Sequence, residues 1–198
     1  MKWPAPVTLS GNIARLQLLS HDHLHGLTEA VQDGGLSALW YTSVPAPEQM
    51  AAEITRRLAL HEESKMLPFT IFNEQTGEVA GMTTYMNVDA PNRRVEIGST
   101  WYRRSAQRTG LNTECKFLLL RHAFETLDCV AVEFRTHFFN QQSRRAIERL
   151  GAKQDGILRS HQVSADGVLR DTVVYSIIAS EWPAVRRHLG ALLNRPVV

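Results

Sequence analysis

Gln107-Arg108-Thr109-Gly110-Leu111-Asn112-Thr113 lies between an alternating segment, residues 94–102, and a long apolar segment that begins at Leu111. Alternation over those nine residues predicts a strand, and the apolar positions after Leu111 predict a buried helix over 111–127. A strand that turns through Gly110 into a helix leaves backbone N–H groups unpaired at the positive end of the helix dipole. That is a site for a phosphate or pyrophosphate. One glycine does not establish it, so the surrounding elements have to supply the rest.

Working outward, residues 13–19 read as a first strand that ends at Ser20, a helix N-cap before a short helix running to Gln32. Residues 47–64 read as a second helix, with Pro47 in its first turn. Residues 69–72 and 79–86 flank Asn73-Glu-Gln-Thr-Gly77 as a hairpin. On the far side, 130–138 is a strand, 143–150 a short helix stopped by Gly151, 152–163 and 169–178 a second hairpin, and 181–193 a closing helix. The order β-α-α-β-β-β-α-β-α-β-β-α has hairpins and one β-α-β crossover, so it predicts a mixed sheet covered by helices, class α/β (α+β).

The chain has 198 residues, a net charge of +2 and 43% hydrophobic residues. It is therefore expected to form one domain over 1–198, with no pull toward a polyanionic partner such as nucleic acid. No apolar run reaches the roughly 18 residues needed to span a bilayer, and Met1-Lys-Trp-Pro-Ala-Pro6 lacks the apolar run of a secretion signal. With only Cys115 and Cys129, both in apolar stretches, the expectation is a reduced, cytoplasmic protein without disulfides.

Asn140, just past the 130–138 strand, begins the run Asn140-Gln-Gln-Ser-Arg-Arg-Ala-Ile-Glu-Arg-Leu-Gly-Ala152. Together with the 107–113 loop and the element order, this run resembles the GNAT family of acyl-CoA-dependent N-acyltransferases. The similarity extends over nearly the whole chain and is nearest the RimJ/RimL-like branch of ribosomal-protein N-terminal acetyltransferases. The family's pyrophosphate loop is Arg/Gln-x-x-Gly-x-Gly/Ala; Gln107 and Gly110 fit it, and Asn112 stands where a small residue is usual. The resemblance implies a largely antiparallel central sheet, acetyl-CoA as cosubstrate, no metal, and a primary amine as acceptor. Homodimerisation is left open. The tyrosine that protonates the departing thiolate in many members falls at Ile147, and Ser143 is the substitute in this branch.

On that footing the cofactor would be bound by backbone groups of Arg108, Thr109, Gly110, Leu111, Asn112 and Thr113, by Gln107, and by Asn140 and Ser143. The backbone near Trp101 and Tyr102 would pair with the pantetheine arm, and Gly98 would let it approach. Arg103, Arg104 and Arg108 either add charge near the phosphates or belong to a solvated loop. Glu96, on the face of Gly98, is the first candidate for the base; otherwise it pairs with Arg93 or Arg94. Glu133 is a weaker candidate, and Glu114, in the first turn of the long helix, suits a structural role. Ser143 shares a stripe with Ala146, Ile147 and Leu150 and should face inward, while Asn140 can cap the same helix. His21, His23 and His25 straddle a helix start and lack the spacing of a metal site; Cys115 has no adjacent histidine to activate it.

The acceptor pocket is expected beneath Ser37-Ala-Leu-Trp-Tyr-Thr-Ser-Val-Pro45 and the late hairpin at 160–170, with Trp40 and Tyr41 as lining candidates. An α-amine with a pKa of about 7.7–8.0 is roughly a tenth deprotonated at pH 7, whereas a lysine is below roughly 0.1%. A site without an unambiguous strong base thus suits a protein or peptide N-terminus, with small amines still open. The alternative is a catalytically inactive acyl-CoA-binding regulatory module.

Overall fold

A computed structural model describes residues 3–38, 40–42, 44–164 and 166–194. Its strands are β1 (Leu9–Ser10), β2 (Ala14–Leu18), β3 (Leu67–Asn73), β4 (Val79–Asp89), β5 (Arg94–Tyr102), β6 (Ala131–His137), β7 (Lys153–Val163) and β8 (Leu169–Ile178). The helices are α1 (Leu24–Gln32), α2 (Met50–Glu62), α3 (Leu111–Glu125), α4 (Gln141–Arg149) and α5 (Trp182–Leu193). All eight strands form one sheet in the order β1-β2-β3-β4-β5-β6-β8-β7. Every neighbouring pair is antiparallel except β5–β6. The expected mixed, largely antiparallel sheet is therefore present, with one short strand, β1, that was not expected.

Helix α3 supplies much of the main core: Leu111, Cys115, Leu118, Leu119 and Leu120 pack with Leu16, Phe69, Tyr85, Val132 and Tyr175 of the sheet. A second cluster gathers Leu27, Val31, Met50 and Ile54 of α1 and α2 around Met82 and Trp101. The Trp101 side chain is thus core. Ser20 accepts a hydrogen bond from Asp22 N–H at 3.2 Å, but the turn it caps is a 3-10 turn, His21–His23, that leads into α1. Helix α2 likewise begins with a 3-10 turn, Pro47–Gln49.

The feature that positions the site is a failure of pairing. Strands β5 and β6 run parallel only at Arg94↔Ala131, Val95↔Val132 and Glu96↔Glu133. Beyond Glu96, β5 continues on β4, with Met82 opposite Trp101 and Gly81 opposite Tyr102. Strand β6 meanwhile stays with β8 as far as His137↔Thr172. At the point of divergence β5 bulges, because Ser99 and Thr100 together face Thr83, and Ser99 takes a φ of 48°. The two halves of the sheet part like a V.

Candidate active site

The V opens into a cleft of about 640 Å³ that the 99–102 edge of β5, the 134–137 edge of β6, α3 and α4 line. Such a cleft, at the carboxyl ends of parallel strands, is where sheets of this kind accept ligands. One end of it meets the start of α3. There Leu111 N–H is bound by Thr109 Oγ1 at 3.2 Å, and the first intrahelical bond is Glu114 N–H to Gly110 O at 3.0 Å. No acceptor among the described residues takes the N–H of Gly110, Asn112 or Thr113. Such groups suit an anionic ligand.

The loop takes its left-handed turn at a residue other than its glycine. Gly110 has φ −67° and ψ −15°, an ordinary helical conformation, and the left-handed residue is Arg108, with φ 60°. Asn112 lies inside the helix and needs no special backbone. A Cβ on Gly110 would meet only Ile13 Cδ1, at 3.0 Å. Gln107 Nε2 donates to Tyr102 O at 3.0 Å, tying the loop back to the end of β5. Arg104, Gln107, Arg108 and Asn112 line the cleft, and so do Trp101 and Tyr102. Thr109, Gly110, Leu111 and Thr113 have no side chain in the lining: Leu111 is core, and Thr113 Oγ1 accepts from Arg149 at 2.8 Å. Only their backbones can take part in binding. Arg103 is turned away, bonded to Asp33 at 3.3 Å and to Val79 O at 3.4 Å.

Glu96 sits at the vertex of the V, 5% exposed. Its pairing with Arg93 or Arg94 does not occur. Arg94 goes to Glu133 at 2.7 Å, and Arg93 bonds Asp128. Glu96 Oε2 instead accepts from Asn87 Nδ2 at 2.6 Å and has Arg135 Nε at 3.5 Å. Burial pushes its carboxyl above the usual range; Asn87 and Arg135 hold it back, and the charge of Glu133 adds to the rise. A Cβ on Gly98 would sit 2.7 Å from Met86 Sδ and 2.8 Å from Glu96 Oε1, so glycine here makes room for the Glu96 carboxyl. Burial alone would raise the Glu133 pKa, but Arg94 and Arg135 outweigh it, lower the pKa and occupy its oxygens.

Across the cleft, Asn140 Oδ1 accepts from Ser143 N–H at 3.0 Å and so caps α4. Ser143, Ala146, Ile147 and Leu150 form one stripe along the wall. Among the described residues the Ser143 hydroxyl has no hydrogen-bond partner. Opposite that wall, α3 presents Asn112 and Lys116, four apart, with Arg108 in the loop just before the helix. Lys116 was not foreseen, because the helix reads as apolar; its spacing from Asn112 is the signal that could have shown it. Lys116 is 7% exposed and donates to Thr100 Oγ1 at 2.8 Å. Burial lowers its pKa to about 8. Arg57 was also unforeseen. It is buried beneath the cleft between Glu53 Oε1 and Thr84 Oγ1, each at 2.6 Å.

Tyr41, Thr42 and Val44 line the opposite end of the cleft, as do His161 and Arg170 of the β7–β8 hairpin. Within the two expected roofing segments, Leu39, Ser43 and Ala165 lie outside the described residues. Trp40, expected in the lining, does not line the cleft: it is exposed and stacks edge-on to His137, which does, ring centroids 5.1 Å apart. Glu114 is structural: its oxygens accept the N–H groups of Asn12, Ile13 and Ala14 at 2.9, 2.6 and 2.6 Å. Cys115 is buried beneath Tyr102, and burial pushes its thiol up to about 12, which removes it as a nucleophile near neutral pH. His23 is bonded to Thr70 at 2.8 Å and exposed His25 faces Glu29, so the three N-terminal histidines do not converge.

Residues 14–153 match the Acetyltransferase (GNAT) domain. The chain belongs to the GNAT acetyltransferase family. A Bacillus subtilis protein, YdaF, described as a candidate ribosomal N-acetyltransferase, is 32% identical over 106 residues. That match covers 54% of this chain and only 57% of YdaF. A GCN5-related N-acetyltransferase from Brucella melitensis superposes with a TM-score of 0.83 at 30% identity, over 96% of this chain and 86% of its own. Mycobacterium smegmatis RimJ, solved in complex with CoA-disulfide, shares the fold at TM-score 0.79 and 22% identity, covering 94% of this chain and 95% of its own. No helix among the described residues is long and apolar enough to cross a membrane.

Proposed function

We propose that the chain, as one acetyltransferase domain, is an acetyl-CoA-dependent N-acetyltransferase that transfers the acetyl group directly to a primary amine. The α-amine of a protein or peptide N-terminus is the favoured acceptor. The observation that carries this reading is the V itself, with free helix N–H groups at one end and a buried carboxylate of raised pKa at its vertex.

The residues present fit that cosubstrate. The N–H groups of Gly110, Asn112 and Thr113, with Arg104 and Arg108 lining the same end, suit a pyrophosphate. The β5 edge that leaves β6 after Glu96 offers backbone groups to an extended amide-bearing arm. Bound acetyl-CoA would supply the activated acyl group. Glu96 takes the proton of the attacking amine, directly or through water, and its raised pKa makes it a better base than a solvated carboxylate. The Ser143 hydroxyl donates a hydrogen bond toward the departing sulfur from the α4 wall. An α-amine suits this base because it needs less help to lose its proton than a lysine does.

The test is thiol release from acetyl-CoA with peptides beginning in Ser or Ala, the same peptides N-terminally blocked but carrying a lysine, and small amines. Turnover confined to free α-amines is the expected result. Tight CoA binding with no turnover on any amine would overturn the enzyme assignment and leave a binding module.

A further inference from the structure

The acceptor side of the cleft carries a cation that the protein does not neutralise. Between Leu158 and Gln162, β7 places Arg159, Ser160 and His161 opposite the single residue Asp171 of β8. Asp171 fastens this wide bulge. Its Oδ1 accepts from Ser160 N–H at 2.7 Å and its Oδ2 from Arg159 Nε at 2.6 Å. His161 Nδ1, just beyond, meets Thr172 Oγ1 at 3.1 Å, so the bulge turns His161 into the cleft beside Arg170.

The carboxylate next to Arg170 is thereby committed to the bulge. The Arg170 side chain has no ion pair or hydrogen bond among the described residues, and its Nε is buried without an acceptor. Glu96 is the only carboxylate among the described residues that line the cleft, and Arg135 shares it. Arg57 has Glu53, and Arg104 and Arg108 stand at the α3 end. Arg170 lies at the other end, near His137, whose ring contacts Trp40 and whose pKa is lowered by burial first and by the Arg170 charge second, against Asp171. Arg170 is half-buried, and a guanidinium whose Nε is shut away from water without an acceptor gains from a carboxylate brought to it; its planar fork is shaped for one. It also repels the ammonium form of any acceptor, a penalty that an acidic acceptor offsets.

We propose that Arg170 is an acceptor-specificity residue that binds a carboxylate carried by the amine acceptor, so that the preferred substrate is an acidic peptide N-terminus. This rests on the reading of the cleft as an N-acetyltransferase site with its acceptor end at Trp40 and His137. The probes are synthetic heptapeptides with a free α-amine that differ only in Glu, Gln or Lys at the second or the third residue. Their binding to the full-length protein saturated with CoA is measured by calorimetry, and their acetylation separately, for wild type, Arg170→Gln, Arg170→Glu and Arg170→Lys.

Wild type is expected to bind the best Glu peptide at least ~10-fold tighter than its Lys counterpart. Arg170→Gln should bring that ratio near one, Arg170→Glu should invert it, and Arg170→Lys should keep part of it, all at unchanged CoA affinity. A wild-type ratio near one at both positions, or a preference that survives in Arg170→Gln, overturns the proposal. So does a loss confined to CoA affinity, since the bound anion would then be a cofactor phosphate. Because binding is read without turnover, a charge preference with no acetylation of any peptide would refute the acetyltransferase reading and leave the assignment of Arg170 standing.

Discussion

Two buried titratable groups, Glu96 and Lys116, flank the cleft, and each is displaced in the direction that disfavours its charge. For Glu96 the folded state holds the proton more tightly than the unfolded chain does. Its stabilising contribution is therefore full below the unfolded pKa and is lost as pH rises through the folded one. Once ionised, the carboxylate is a burden on stability. Glu96→Gln should melt no lower than wild type at pH 7 and turn over roughly 10²-fold more slowly. It should also lose the acid limb of kcat/KM, which in wild type lies above the ordinary carboxylate range. A variant that keeps that limb would remove Glu96 as the base. Lys116 has the opposite sign. Between its folded pKa of about 8 and the ordinary lysine value, the unfolded chain holds more protons, so stability rises with pH across that window. Below it an ammonium is buried against one hydroxyl. Lys116→Met should stabilise the free protein at pH 7 by on the order of 1–3 kcal/mol. That gain should shrink when melting is repeated at pH 9–10; an equal gain at both would mean packing, not charge, was responsible.

At the scale of elements, the N-terminal hairpin is held to α3 by one side chain. Glu114 takes three backbone N–H groups of the β1–β2 connection, and Gly11 passes so close that a Cβ there would lie 2.5 Å from Glu114 Cδ. Glu114→Ala leaves three donors unpaired at a part-buried turn and should cost about 2–4 kcal/mol, read by chemical denaturation. A loss below about 0.5 kcal/mol would show that water replaces the carboxylate. The sequence could assign this residue to structure only through the helix dipole, because partners a hundred positions away leave no local trace. Elements with strong periodicity were legible: β5 and β8 have the bounds that their alternation predicts. Two-residue β1 was not, being too short to alternate. In the turn before α3 the left-handed residue is Arg108, while Gly110 is helical and lies close to Ile13, a distribution that no residue type in the loop announces. Lys116 was hidden for a related reason. In a helix that is apolar nearly all round, one polar position is a functional signal only when the strand it faces is known.

Over the whole molecule, the cleft exists because a sheet of eight strands is joined across its middle by only three residue pairs. The β1–β5 and β6–β8 portions continue past that seam without partners across it, and their facing edges leave backbone groups open to a ligand arm. The motif at 107–113 marks one end of this groove in the sequence, but the divergence itself is tertiary. It depends on the bulge at Ser99 and on β8 following β6, neither of which a local pattern encodes. A ligand that only docked its phosphates on α3 would leave the V as it is, whereas one whose arm lies in the V would pair with its edges. Amide hydrogen exchange separates these. With CoA at 100 times its dissociation constant, global stability should rise by about 2.7 kcal/mol in either case. Exchange beyond that global effect should slow at residues 99–102 of β5 as well as at 108–113. Protection confined to 108–113, with the β5 edge unchanged, would mean that the cofactor sits outside the V, and Glu96 at its vertex could not then be the base.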